Sequence, residues 1–189
     1  MPRLPGDGLT RSGLLLLCTL LVPCFRLSAA DQRGGSLSVE PSLLMPMGPL
    51  GQNYGAAAQA NLDFDLGITP GWSMVFGAGY GTLPSLVQKD NYLTLAPAWI
   101  GLKSKAQFRQ DVEIFWDLAL EGMYAKEFYQ DSGSGSIETL DGGGVAGAGF
   151  DLWLSPSLLI GTEVKAHLIV EGRDVYPFLQ WGLRLGLRG

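Results

Sequence analysis

Eight stretches of the chain, from about residue 36 to residue 188, alternate apolar residues with polar ones or with glycine. Asn61-Leu62-Asp63-Phe64-Asp65-Leu66 shows the alternation most strictly. Successive side chains of a β-strand point to opposite faces, so Leu62, Phe64 and Leu66 share one face and Asn61, Asp63 and Asp65 the other. Helical periodicity is weak, and Gly and Pro recur too often for long helices. The pattern predicts strands at 36–46, 56–68, 72–81, 92–105, 111–126, 144–154, 158–169 and 176–188.

The two faces can be read strand by strand. In the third, Trp72, Met74, Phe76 and Tyr80 share a face. In the fifth, Val112, Ile114, Trp116, Leu118 and Leu120 oppose Glu113, Phe115, Asp117, Ala119 and Glu121. The sixth sets Ala146, Ala148, Phe150, Leu152 and Leu154 against Val145, Gly147, Gly149 and Asp151. The seventh sets Leu158, Ile160, Val164, Ala166 and Leu168 against Gly161, Glu163, Lys165 and His167. The last opposes Leu179, Trp181, Leu183, Leu185 and Leu187 to Gln180, Gly182, Arg184, Gly186 and Arg188. In the fourth, which carries Lys103 and Lys105, the parity reads as changing around Pro97, the signature of a bulge.

Short breaks at Thr69-Pro70-Gly71, Phe108 to Asp111 and Ser155-Pro156-Ser157 alternate with breaks at 47–55, 82–91, 127–143 and 170–175 that read as longer and more polar. Transmembrane barrels of the outer-membrane type show this asymmetry, with tight periplasmic turns and larger outer loops. An even number of crossings places both ends of the barrel on the periplasmic side.

So many apolar strand faces, with so little sequence left to cover them, need another partner, and lipid supplies one. A soluble lipocalin-like barrel also has one apolar face, turned inward around a ligand. The composition of the second face separates the two. A solvated sheet surface is rich in Lys, Thr, Glu and Gln, whereas here glycines 77, 79, 147, 149, 161, 182 and 186 stand among charges of both signs. Glycine fits where side chains from opposite walls compete for space. An eight-stranded barrel has an interior just wide enough for side chains to fill. Charges enclosed there must be paired. The predicted interior network joins Asp63, Asp65, Glu113, Asp117, Glu121, Asp151 and Glu163 to Lys103, Lys105, Lys165, Arg184 and Arg188, with His167 hydrogen-bonded among them. The predicted lipid face comprises Leu62, Phe64, Leu66, Phe76, Ile114, Trp116, Leu118, Leu152, Ile160, Val164, Trp181, Leu183 and Leu185. Trp72, Tyr80, Tyr92 and Tyr124 fall at strand ends, where amphipathic rings settle at headgroup depth.

Residues 1–30 read as a cleavable secretory signal. Arg3 and Arg11 give the positive start, Leu14 to Val22 the apolar stretch, and Ser28-Ala29-Ala30 the cleavage site, with cleavage after Ala30. Leu21-Val22-Pro23-Cys24 is a poor lipobox, because Pro23 stands where that motif wants a small residue. Cleavage leaves residues 31–189, 159 of the 189, as a single domain. Both cysteines, Cys18 and Cys24, leave with the signal, so no disulfide remains to hold the mature chain. Three arginines and one aspartate leave as well, which turns 13 basic and 18 acidic residues into 10 and 17, a net charge of −7. That balance argues against nucleic acid as a partner.

The arrangement resembles the small eight-stranded outer-membrane proteins, namely the membrane domain of OmpA, OmpX and OmpW. The resemblance spans the mature chain and includes the last strand, Tyr176 to Arg188. It implies an all-β, eight-stranded antiparallel up-and-down transmembrane barrel in the outer membrane of a diderm bacterium. Its implied partners are outer-membrane lipid and the barrel-assembly machinery, which reads the last strand. In such proteins that strand usually ends in an aromatic residue, where this chain has Gly189.

Candidate chemistry is sparse, and no enzyme, cofactor or metal is expected. Gly142-Gly143-Gly144-Val145-Ala146-Gly147 matches the dinucleotide fingerprint in letters. That motif needs a strand before it and a helix after it, whereas here a polar loop leads into an alternating strand. His167 is the single histidine. In the lipid A deacylase family, a barrel-borne histidine and its serine nucleophile lie two residues apart on the lipid side. Here residue 169 is Ile, and parity turns His167 inward. Glu113, Asp117 and Glu121 share one face, as carboxylates performing acid–base chemistry do, but within a narrow barrel they balance lysines and arginines. Asp131 to Ser136, with Glu138 and Asp141, reads as a flexible acidic outer loop.

Three functional readings follow. The first is a structural or surface-interaction barrel of adhesion type, with a largely plugged polar lumen and an extracellular surface ligand. The second is a narrow OmpW-like conduit for a small hydrophobic solute, with Val75, Phe115 and Val145 as inward apolar residues. The third is a soluble periplasmic ligand-binding barrel.

Overall fold

The computed structural model describes residues 34–129 and 135–189. The export signal, its cleavage site at Ala30, Cys24 and most of the Asp131–Ser136 run lie outside the described residues. Eight antiparallel strands, β1 (Gly35–Pro46), β2 (Ala57–Thr69), β3 (Trp72–Pro84), β4 (Tyr92–Gln107), β5 (Val112–Tyr129), β6 (Gly135–Trp153), β7 (Leu158–Glu171) and β8 (Asp174–Arg188), follow one another around a closed barrel. Closure comes from β1 pairing with β8 along Ser36↔Arg188 to Pro46↔Phe178, which removes the free edges that an open sheet would present. One short helix, α1 (Gly48–Asn53), interrupts the β1–β2 connection, with a proline in its first turn where the missing N–H costs nothing.

The alternation read from sequence is the alternation of the barrel wall. Every residue of the predicted lipid face points outward; Leu62, Phe64, Trp116, Leu118, Trp181, Leu183 and Leu185 are among those left exposed, and Leu152 is half-covered. A soluble monomer rarely exposes contiguous apolar surface beyond a few hundred Å², and this belt runs round all eight strands. The third reading, a soluble ligand-binding barrel with its apolar face inward, is therefore overturned. The fold is an up-and-down transmembrane β-barrel, with apolar residues outside and polar residues inside.

Four local features differ from the sequence reading. Pro97 marks no bulge. The pairs Ala98↔Ala78 and Leu95↔Gly81 on one side, and Pro97↔Met123 on the other, keep one register across it. Odd-numbered residues of β4 therefore face inward throughout, which puts Trp99 in the lumen with Lys103. Second, the described parts of 127–143, residues 127–129 and 135–143, are strand rather than loop: β5 and β6 pair as far as Tyr129↔Gly135. Above the membrane both faces of a hairpin can be polar or glycine, so it loses the alternation that marks a strand while keeping its backbone hydrogen bonds. The fingerprint glycines lie inside this strand. Glu138 is likewise held on it by Lys126 at 2.7 Å rather than lying in a loop. Third, 170–175 shrinks to the two-residue turn Gly172-Arg173, with Gly172 at φ 60°. Fourth, 47–55 contains α1, which is tied across the mouth. Met47 N donates to Pro177 O at 2.9 Å, and Leu86 N donates to Asn53 O at 2.7 Å.

Inward glycines make room for large side chains rather than for turns. A Cβ at Gly77 would run into the Trp99 ring, and one at Gly182 into Glu40. At Gly147 it would come within 2.7 Å of carboxylate oxygens of both Asp117 and Glu163.

Candidate functional site

The lumen is layered. Nearest the short turns and midway up lie the charges; nearest α1 lies an apolar layer of Leu44, Tyr54, Ala57, Leu83, Leu95, Met123, Ile169 and Phe178, with Leu50 of α1 packed on it. Among the charges, Val75, Trp99, Ala119 and Val145 form a second small apolar cluster, with Val145 paired to His167 and Ala119 one inward position below Glu121. Val75 and Val145 are thus inward, as is the buried Phe115.

All the charges predicted for the interior are found there. Asp63, Asp65, Lys103, Glu113, Asp117, Glu121, Asp151, Glu163, Lys165, His167 and Arg184 are buried; Lys105 is nearly so, and Arg188 reaches the rim. Four cations tie distant strands together. Lys165 Nζ on β7 lies 3.2 Å from Glu40 Oε2 on β1, 3.3 Å from Asp63 Oδ2 on β2 and 3.5 Å from Glu163 Oε2 beside it. Arg184 on β8 reaches Asp151 on β6 at 3.4 Å, Glu163 on β7 at 3.6 Å and Asp65 on β2 at 3.8 Å. Lys103 on β4 meets Asp65 at 3.1 Å, and Lys105 meets the same carboxylate at 3.0 Å. Toward the rim, Glu113 takes Arg188 at 3.8 Å and Lys105 at 4.0 Å. β2 and β7 lie on opposite sides of the β8–β1 closure and β4 is not a neighbour of β2, so these links cross the lumen instead of running along its wall.

Aromatic faces add to the support. Lys165 Nζ lies 4.7 Å from the centre of the Trp99 ring system, while Lys103 and the Arg184 guanidinium sit 4.7 and 4.4 Å from the Phe115 centroid. Neutral donors help the carboxylates, which outnumber the cations. Trp99 Nε1 donates to Asp63 at 3.0 Å, Asn61 to Glu40 at 3.3 Å, and Gln180 also donates to Glu40. His167 joins the network through both ring nitrogens, Nδ1 at 2.9 Å from Glu121 Oε2 and Nε2 at 3.1 Å from the side-chain Oε1 of Gln180.

Two members were missing from the sequence reading. Glu40 was findable, since Ser36, Ser38, Glu40 and Ser42 alternate with Leu37, Val39, Pro41 and Leu43 along β1. Trp99 was hidden by the parity assigned around Pro97. The apolar outer layer was also legible in principle, because extending each strand's parity upward gives Leu44, Leu83, Leu95, Met123, Ile169 and Phe178.

Glu40, Asp63 and Glu163 bring carboxylate oxygens within 4.8 Å of one another, a spacing suited to a metal ion. The Lys165 ammonium already sits against all three, so the charge a cation would supply comes from the chain itself. Chemically the site is an internal polyelectrolyte cross-link.

No protein-family model and no curated protein matches the chain. Solved structures do match in fold. Neisserial surface protein A aligns at TM-score 0.61 with 10% identity over 82% of this chain and 95% of its own. OprG from Pseudomonas aeruginosa aligns at 0.59 with 11% identity over 85% and 98%. Ail, the attachment invasion locus protein of Yersinia pestis, solved with the heparin analogue sucrose octasulfate, aligns at 0.55 with 14% identity over 82% and 97%. The fold is therefore that of the small eight-stranded outer-membrane barrels.

Proposed function

We propose that this chain is an exported integral outer-membrane protein, cleaved after Ala30. In this reading residues 31–189 form a non-enzymatic barrel with a plugged lumen, which stabilises the membrane or presents its outer rim for contact. Its partners are then outer-membrane lipid and the barrel-assembly machinery. The observation that carries the reading is the set of ion pairs joining β7 to β1 and β2, and β8 to β2 and β6. An eight-stranded barrel has little spare interior, and these side chains occupy it. The apolar layer above them is what a conduit for hydrophobic solutes would use as an entrance, so conductance decides between the two readings. In planar bilayers the folded protein is expected to show little steady current, with only rare small openings. Large reproducible channels would reject the plug and promote the conduit.

Both barrel termini and the connections 70–71, 108–111 and 154–157 lie at one end, while α1 and the longer 85–91 connection lie at the other; in this reading the first end faces the periplasm and α1 faces outward. An epitope inserted between Gly133 and Ser134, in the connection from β5 to β6, is expected to bind antibody on intact cells. Labelling only after permeabilisation of the outer membrane would invert the topology.

The outer rim differs in charge from what a polysulfated ligand such as that bound by Ail requires. Glu127, Asp141 and Glu171 line the mouth. A surface-interaction role for this chain therefore points away from heparin-like polyanions.

A further inference from the structure

The outer mouth holds a cavity of about 210 Å³ above the charge network. Leu95 of β4, Met123 of β5, Ile169 of β7 and Phe178 of β8 give it apolar walls, and all four are buried. Its polar lining is acidic: Glu127, Asp141 and Glu171 contribute, and no lysine, arginine or histidine is among the described residues that line it.

The strand register explains how two of these carboxylates come together. β6 and β7 pair from Trp153↔Leu159 up to Gly142↔Val170, where their ladder stops. One step further, the same register would set Asp141 directly opposite Glu171. Like charges in that position destabilise a strand pair, and β6 continues upward paired to β5 alone among the described residues. Both side chains have inward parity, and both line the cavity. The end of the β6–β7 seam thus offers two neighbouring carboxylates above an apolar pocket.

We propose that this mouth binds a small cationic amphiphile, an organic amine whose ammonium lies between Asp141 and Glu171 and whose apolar body rests on Met123 and Phe178. Small-molecule sites are typically concave and mostly apolar, with a few convergent polar groups that fix orientation. An ammonium relieves the repulsion at the seam and makes charge-assisted hydrogen bonds to both carboxylates. The apolar body gains by leaving water. An anion meets the wrong charge, and a bare metal ion leaves the apolar walls unused. The site does not depend on whether the lumen below is sealed, because the ligand enters and leaves by one mouth.

The test uses the folded barrel in lipid nanodiscs, labelled with [13C-methyl]methionine. It is titrated with phenethylammonium, with neutral 2-phenylethanol and with anionic 3-phenylpropanoate. The Met123 methyl signal is expected to shift saturably with phenethylammonium while that of Met74, on the lipid face of β3, stays in place. The amine is expected to bind about tenfold more tightly than the alcohol, the increment of one charged hydrogen bond, and the acid is expected not to bind. The double change Asp141→Asn with Glu171→Gln is expected to reduce the amine to the alcohol's affinity, and Ala125→Trp, which fills the pocket, to abolish both. Folding of each variant is read from the difference in electrophoretic migration before and after boiling. Equal binding of amine and alcohol to the parent, or unchanged amine affinity in the folded double variant, would overturn the carboxylate assignment. Absence of a saturable Met123 shift would overturn the site.

Discussion

Replacing Arg184 with methionine is expected to lower the unfolding free energy in lipid vesicles by about 3–5 kcal/mol, the range seen when one partner of a buried ion pair is removed. Arg184 is 1% exposed and faces Asp151, Glu163 and Asp65. Without it, buried Asp151 loses the cation it faces, and Glu163 and Asp65 each lose one of theirs, in a space where water is scarce. Lys103 and Lys165 remain close but already serve Asp65, Asp63 and Glu40. Adding Asp151→Asn to the variant should recover part of the loss, because the acid that lost its partner loses its charge too. Arg188→Met is the contrasting control: its side chain is 27% exposed at the rim, and partly solvated pairs contribute little. Urea titration of the three variants measures all of this. An Arg184→Met barrel as stable as the parent would show that the lumen network does not hold the fold.

Leu183→Arg is expected to cost about 2–4 kcal/mol, as for a cation facing lipid near the bilayer midplane. Gln180→Lys, three residues earlier on the same strand, is expected to be much milder. Leu183 is 51% exposed on the outer face and Gln180 is fully buried inside. A lysine at 180 would find Glu40, the carboxylate to which the Gln180 amide already donates. The strand, the charge added and the distance along the chain are nearly matched, so the difference isolates the face. Equal losses in lipid-reconstituted unfolding would refute the assignment of lipid side and lumen side.

The alternation of Leu62, Phe64 and Leu66 with Asn61, Asp63 and Asp65 by itself determined which side chains meet lipid and which the lumen. A strand's side-chain period is two, so parity once set leaves no freedom. The same logic made the seven acids and five bases of the interior legible as a group. It failed where parity was read as broken, at Pro97, because a proline removes one donor without having to shift the register. It also failed where composition stood in for pairing, at 135–143, because a hairpin standing in water keeps its hydrogen bonds without an apolar face.

Only the tertiary structure decided who pairs with whom. Glu40 and Lys165 lie 125 residues apart in the chain and meet because β1 closes onto β8, bringing β7 within reach across the seam. Asp141 and Glu171 gather at the mouth because of where the β6–β7 ladder stops, which depends on the register of strands joined by a turn at the other end of the barrel. Local alternation assigns each side chain a direction. Closure and register, which depend on all eight strands at once, set the distances between charges, and those distances determine whether the lumen is a channel or a plug.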